Sequence, residues 1–435
     1  FNAHSRADED RQDGIDTFED KDIVFQDITY DQLIDILGSE GNYMIQLSGS
    51  WCHNSRAMSP FINKYAKEYG IDTVYSYDFN INNGDDGSLF VRMSNEKTTP
   101  GTKLNYMYGE MVSRYLTNLD DWVEYPSTHA TALSYTNADG KEVTVGRLQQ
   151  PIVFVYNKDN KVDYSNSGNG STSCPIMYAF EKMVERDSKG IYTKRFDDDG
   201  NPVLDENGNQ IRDYITDEYD ASVKEMFDFI KNNNIELSTY SKTDHLRDGS
   251  EIFSADQQIN VYPVTYRQLK WLLNEDGNAM VMIGGAGDEK TRAVISRVND
   301  YAVKNNVRVY LYDPQVDGDV TTGRWGYKQS MNILDENAIV NLMYTDLVKG
   351  ALTNLEVAHS MSDGTALIQE PFLFAFNKDA KDADGFTAPI KAWAELTYTQ
   401  DPETRFYIGK EANQKSCDSS IESVFAAYAG EEAAE

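Results

Sequence analysis

Met44-Ile45-Gln46-Leu47-Ser48-Gly49-Ser50-Trp51-Cys52-His53-Asn54-Ser55-Arg56-Ala57-Met58-Ser59-Pro60 is the stretch on which the fold turns. An apolar run reaches a turn of small residues. Helix-forming sequence then follows over roughly 56–69, with Met58, Ile62, Tyr65 and Ala66 on one face. The pattern predicts strand, turn and helix. It puts Cys52 in the first helical turn, where unpaired N–H groups and the helix dipole favour a thiolate. Pro60 predicts a kink, because a mid-helix proline removes a donor and clashes with the preceding turn. Outward from this stretch, Thr29 is a candidate N-cap for a helix over 31–37, and strands are expected at 43–47 and 73–78. Further on, Gln150-Pro151 leads into the apolar run Ile152-Val153-Phe154-Val155-Tyr156 and a turn at 157–160. Helical crossovers imply parallel pairing for the early strands, and the hairpin after Pro151 implies antiparallel ones.

The pattern occurs twice. Thr29-Tyr30-Asp31-Gln32-Leu33 returns as Thr265-Tyr266-Arg267-Gln268-Leu269, an offset of 236 (265 − 29). The same offset matches Gly49 with Gly285, Arg56 with Arg292, Asn63 with Asn299, and Leu116-Thr117-Asn118-Leu119 with Leu352-Thr353-Asn354-Leu355. Pro151 through Asp159 answers Pro371 through Asp379 at an offset of 220 (371 − 151), so the second copy is shorter between these blocks. Repeats of this length are whole domains.

A Cys at a strand-to-helix junction, followed by a Pro before a strand and hairpin, resembles the thioredoxin superfamily. The resemblance implies an α/β fold of two tandem thioredoxin-like domains, each a mixed central sheet flanked by helices. Each would carry an insertion between the third strand and the strand that a cis proline opens. The expected organisation is a flexible acidic tail over 1–22, domain 1 over 23–240, a polar linker over 241–258 and a degenerate domain 2 over 259–435. By position in the family, Cys52 is the nucleophile and Ser55 holds the resolving place. A hydroxyl cannot displace a thiol from a mixed disulfide, although it can donate to a thiolate. His53, if protonated, would lower the thiol pKa. Trp51 would shield the site, and Gln150 and Pro151 would offer backbone to an extended peptide. The buried carboxylate of many family members falls on Gln46, which cannot relay a proton. Copy two has Gly287-Asp288-Glu289-Lys290-Thr291 at this junction, without a thiol. Asp288 and Glu289 there suit capping and the helix dipole.

Insertions set the chain apart from a minimal domain. A helix near 106–119 and a hairpin through Asn137-Ala138-Asp139-Gly140 are expected between 84 and 150. A second insertion over roughly 164–215 carries turns at Asp197–Asn201 and Asp205–Asn209. These lack the ligand spacing and closing Glu of a calcium loop, so they read as solvated hairpins. Closing helices are expected over 219–232 and 419–429. Three cysteines and five histidines show no metal-ligand spacing. No metal and no cofactor is expected. Cys174 and Cys417, each after a Ser at an expected helix start, could pair with each other, Cys174 could pair with Cys52, or they could be buried thiols.

The chain has 435 residues and a net charge of −31, which argues against nucleic-acid and anionic-membrane partners. No apolar run approaches the length of a membrane span. A chain that opens Phe1-Asn2-Ala3-His4, with a polar start, suggests an extracytoplasmic protein, surface-anchored or secreted, of bacterial origin. A signal or lipid anchor would then lie outside this chain. Two functions remain open. One is a non-enzymatic binding or scaffold protein whose partner is a protein or peptide. The other is monothiol thiol-disulfide exchange, isomerase- or glutaredoxin-like, through a mixed disulfide on Cys52. The 28 tyrosines would suit a recognition surface or simply roof the sheets.

Overall fold

The computed structural model describes residues 23–48, 53–78, 106–149 (131 and 138 apart), 151–181 (169 apart), short pieces between 193 and 213, 217–247, 253, 256–285, 288–313, 347–396 (359 and 361–363 apart) and 411–430. Among these, residues 23–28, 36–78 and 106–239 group as one compact unit, and 29–35 group with 240–430 as the other.

The first unit holds β1 (Phe25–Asp27), β2 (Tyr43–Ser48), β3 (Val74–Asp78), β6 (Ile152–Tyr156) and β7 (Ile176–Glu181) in the order β1-β3-β2-β6-β7. The β1, β3 and β2 strands run parallel, and β6 and β7 are antiparallel. In the second unit β10 (Val261–Val264), β11 (Ala279–Ile283), β12 (Val309–Tyr312), β13 (Phe372–Phe376) and β14 (Ile390–Glu395) take the order β10-β12-β11-β13-β14 with the same directions. The registers repeat too: Leu47 pairs with Ile152, and Ile283 with Phe372. These are two mixed five-stranded sheets flanked by helices, an arrangement compatible with two tandem thioredoxin-like domains.

The helices follow from caps and apolar faces. Helix α1 (Tyr30–Gly38) opens on a reciprocal cap: Thr29 N donates to Gln32 Oε1 at 2.9 Å and Gln32 N to Thr29 Oγ1 at 3.3 Å. Helix α5 (Tyr266–Asn274) repeats this capping box with Thr265 and Gln268. That is the physical content of the repeated Thr-Tyr-x-Gln-Leu. In the first unit, α2 (His53–Glu68) buries Met58, Ile62, Tyr65 and Ala66 against Met44, Val153 and Val155 and against α4 (Asp217–Asn232). It continues as a helix through Pro60. In the second unit, α6 (Glu289–Lys304) and α7 (Glu411–Ala429) cover Met280, Met282, Leu373 and Ala375. The opposite sheet face buries Val281, Ile283, Phe372 and Phe374 with Leu269 and Leu273 of α5.

Repeated asparagines tie chain segments together. Asn118 donates to Ile176 O at 2.9 Å and accepts from Ile176 N at 3.0 Å. Asn354 makes the same two bonds to Ile390, both 2.9 Å. Asn63 accepts from Val24 N, and Asn299 from Asn260 N, each at 2.8 Å. A buried amide that satisfies two backbone groups is hard to replace.

The insertion before β6 forms α3 (Tyr106–Tyr115), a 3-10 turn (Leu119–Asp121) and a hairpin of β4 (Leu133–Thr136) and β5 (Glu142–Val145). The later insertion pairs β8 (Thr193–Lys194) with β9 (Arg212–Asp213), with turns closed by Asp197 and Asp205. The two expected cysteine positions are corrected. Cys174 does not start a helix, since it lies in the extended approach to β7, and Cys417 lies inside α7. Neither forms a disulfide, and both thiols are buried. The polar stretch 241–258 sends Leu246 and Phe253 into the second unit's core, because these apolar side chains lose water there. No described helix is long and apolar enough to cross a membrane.

Candidate functional site

In the first unit the parallel strands β2 and β3 end beside the start of α2 and the start of β6. Crevices at the carboxyl ends of parallel strands are where open α/β sheets commonly bind ligands. Trp51, Cys52 and Gln150 lie outside the described residues, as does the peptide bond preceding Pro151. His53 is the first residue of α2, and Ser55 on its first turn is 2% exposed. Pro151 is buried and directly precedes Ile152, which pairs with Leu47 on one side and Glu181 on the other. Gln46 is fully buried. Its Nε2 donates to Ser59 Oγ at 3.2 Å, and Ser59 Oγ donates to Ser55 O at 2.7 Å. A neutral amide and a hydroxyl thus tie the strand to the first turns of α2.

The segment entering Pro151 is held more firmly than its sequence suggests. Tyr108 Oη of α3 donates to Gly146 O at 2.8 Å and accepts from Leu148 N at 3.1 Å. Arg147 N donates to Tyr125 O at 2.8 Å, and the Arg147 guanidinium lies 5.7 Å from the Tyr125 ring centroid. Gln149 N donates to Glu181 Oε2 at 2.8 Å, and Gln149 Nε2 donates to Glu124 Oε2 at 2.8 Å. Glu124 N completes the set by donating to Glu181 Oε1 at 3.2 Å. Burial pushes the Glu181 carboxyl up to about 7, against the pull of two backbone N–H donors and with a further push from the Glu124 charge. Burial also raises the Tyr108 phenol. Sequence reasoning missed Tyr108, Glu124, Arg147 and Glu181. The one available signal was a carboxylate closing the otherwise apolar and aromatic strand Ile176–Glu181.

The corresponding end of the second unit is built differently. Asp288 caps α6, accepting from Thr291 N at 2.7 Å and Thr291 Oγ1 at 2.8 Å. A Cβ on Gly284 would come within 2.4 Å of Thr291 Oγ1, so the turn packs onto that cap. The Glu370–Pro371 bond is cis, and Gln369 N donates to Glu395 Oε1 at 3.1 Å. Among the described residues, no cluster of three or more His, Cys, Asp or Glu could hold a metal ion.

At the other end of the first sheet, where Tyr156 pairs with Tyr43, a cleft of about 380 Å³ is lined by Leu37, Arg114, Tyr115, Tyr156, Lys158 and Pro175. It shares no residue with the Pro151 segment.

No family model matches the chain, and no curated protein matches it. Among solved structures it is similar to the chain titled "Crystal structure of ERdj5 form I" at 8% identity and a TM-score of 0.19. The match covers 93% of this chain and 30% of that one, so this chain spans less than a third of that chain's length. A likeness this weak carries no argument about activity.

Proposed function

We propose that the chain is a thioredoxin-like binding or scaffold protein of the extracytoplasmic space, engaging an extended protein or peptide segment beside Pro151. One observation carries this reading. The second unit repeats the sheet order and the helix at the strand ends and has a cis proline at Pro371, yet its helix start is occupied by the Asp288–Thr291 cap. A framework kept without a nucleophile is suited to binding or spacing. The firmly held backbone at 146–149 supports the same reading, because a fixed segment loses less entropy on docking. The tyrosines lend it little weight where they are core residues: Tyr75, Tyr77, Tyr108, Tyr156 and Tyr219 are each no more than 1% exposed.

Monothiol exchange through Cys52 is the second reading. The start of α2 at His53 favours it, since unpaired N–H groups at a helix start stabilise an anion. His53 and Ser55 would then assist the thiolate, with Trp51 and Gln150 lining the approach. The test is a fluorescent peptide carrying a mixed disulfide, incubated with the full chain and with Cys52→Ala. Binding predicts equal, slow exchange for both proteins. Release of the fluorophore that Cys52→Ala abolishes would overturn the binding reading and establish exchange.

A further inference from the structure

Four aromatic side chains of the first unit stand in a row at the margin of its core. Trp122, just after the 3-10 turn, lies 5.6 Å from the ring of Tyr178 on β7. Tyr178 lies 4.9 Å from Phe229 on α4, and Phe229 lies 5.1 Å from Tyr164. All four are half-buried, so each keeps part of its surface in water. β7 ends the strand order, so the backbone groups along its outer edge pair with no described strand. We propose that the row and the β7 edge form a docking surface for a basic, extended protein segment, which adds a strand to β7 and sets Arg or Lys side chains over the rings.

The second unit shows that the fold does without these rings. Trp122 corresponds to Ala358 at the 236-residue offset (358 − 122). Tyr178, two residues after the Ile176 that Asn118 holds, corresponds to Ala392, two after the Ile390 that Asn354 holds. On the closing helices, buried Val223 and Phe227 match Ile421 and Phe425 at an offset of 198 (421 − 223), which sets Phe229 against Ala427. Three alanines thus stand on the same strand order where the first unit has rings.

Charge selects the occupant. An aromatic face is electron-rich and attracts a cation, more strongly where water is excluded. Elsewhere in this unit the chain supplies that cation itself: Lys64 stands over Tyr65, Lys231 over Tyr69, Arg114 over Tyr115 and Arg147 over Tyr125. Among the described residues, no Lys or Arg stands over Trp122, Tyr164, Tyr178 or Phe229. Glu225, one turn before Phe229, shares its face of α4, and its charge acts on Tyr178. The adjacent cation, Lys224, is already paired with Asp228 at 2.7 Å. The net charge of −31 adds a general pull on a basic segment, but salt screens it beyond about 8 Å at physiological ionic strength. The rings and Glu225 therefore set the selectivity, while strand addition supplies backbone hydrogen bonds. No residue of 146–151 enters this surface, so it stands or falls separately from the Pro151 reading.

Fluorescence anisotropy on the full chain at about 0.15 M salt tests it, with a labelled peptide of about ten residues alternating Arg and Thr. This peptide should bind the native chain, and its counterpart with Glu for Arg should not. Trp122→Ala and Tyr178→Ala should each weaken binding about tenfold, a factor worth roughly 1.4 kcal/mol. Neither substitution changes the net charge, so an affinity that neither one moves would reveal general attraction to an acidic chain and overturn the proposal. Equal binding of the Glu peptide, or no binding of the Arg peptide, overturns it too. Amide exchange on the native chain needs no variant to fold: the Arg peptide should slow exchange along β7. Slowing confined to other segments, the 147–149 amides included, overturns the proposal. Binding of cellohexaose that Tyr178→Ala removes, with none of the Arg peptide, would make the row a glycan platform instead.

Discussion

Removing the Asn118 side chain tests whether the repeated Leu-Thr-Asn-Leu motif does the work assigned to it. Asn118 is 3% exposed, and its amide makes both bonds to the backbone of Ile176, which is itself fully buried. Asn118→Ala leaves one N–H and one C=O of Ile176 without these partners. Each such bond contributes about 1 kcal/mol net, and an orphaned buried group costs about 1–3 kcal/mol. Water entering the small void would recover part of this, so a loss of about 2–3 kcal/mol is expected. Urea unfolding measures it, provided the slope m stays constant between proteins. Amide exchange localises it: the Ile176 amide should exchange faster in Asn118→Ala, and the Ile390 amide faster in Asn354→Ala. The bonds of Asn354 to Ile390 are of closely similar length, so a similar loss is expected there. A loss below about 0.5 kcal/mol, the range of an ordinary surface change, would refute the reasoning. So would unchanged exchange at Ile176.

Asp288→Ala should cost about 1 kcal/mol by deleting the α6 cap, and Asp288→Ser should recover most of it. Equal urea midpoints for Asp288→Ala and the parent chain would show that the cap contributes nothing. Glu181 has an expected effect on stability. Its folded value of about 7 exceeds the ordinary 4.5, so between those values the folded chain holds a proton that the unfolded chain has released. The group therefore lowers stability as pH rises through that window, and Glu181→Gln should gain on the parent chain from about pH 5 to about pH 8. A gap that does not change with pH contradicts this. Cys174 and Cys417 are buried, and burial raises the Cys174 thiol, so both should resist a thiol reagent until the chain is denatured. Reaction of more than one thiol per native chain would be inconsistent with that burial.

Much of the architecture was legible because it rests on local chemistry. Thr29 announced a helix start as a candidate N-cap, and the structure adds the reciprocal Gln32 bond and the same capping box at Thr265 and Gln268. The apolar runs at 152–156 and 372–376 announced strands buried on both faces. The offsets of 236 for the early strands and 220 for the strand after the proline together carried the register from Ile45 opposite Phe154 to Val281 opposite Phe374. Other features were misread for equally physical reasons. Ser173-Cys174 resembled a helix start, but Cys174 N donates to Asn160 O and the chain there runs extended into β7. The stretch 241–258 reads as polar, yet it contains Leu246 and Phe253, which the second core encloses.

Features that depend on neighbours along the chain were set by the order of residues alone: the caps, the buried strands, the duplication and the loss of a thiol from the second copy. Which distant groups meet was settled by folding. Glu124, Gln149 and Glu181 lie 25 to 57 residues apart along the chain, yet their hydrogen bonds converge just before Pro151. Such a cluster leaves no periodic trace, because its members come from a loop, a pre-strand segment and a strand end. Only burial and a shared donor–acceptor arrangement bring them together and change how Glu181 holds its proton.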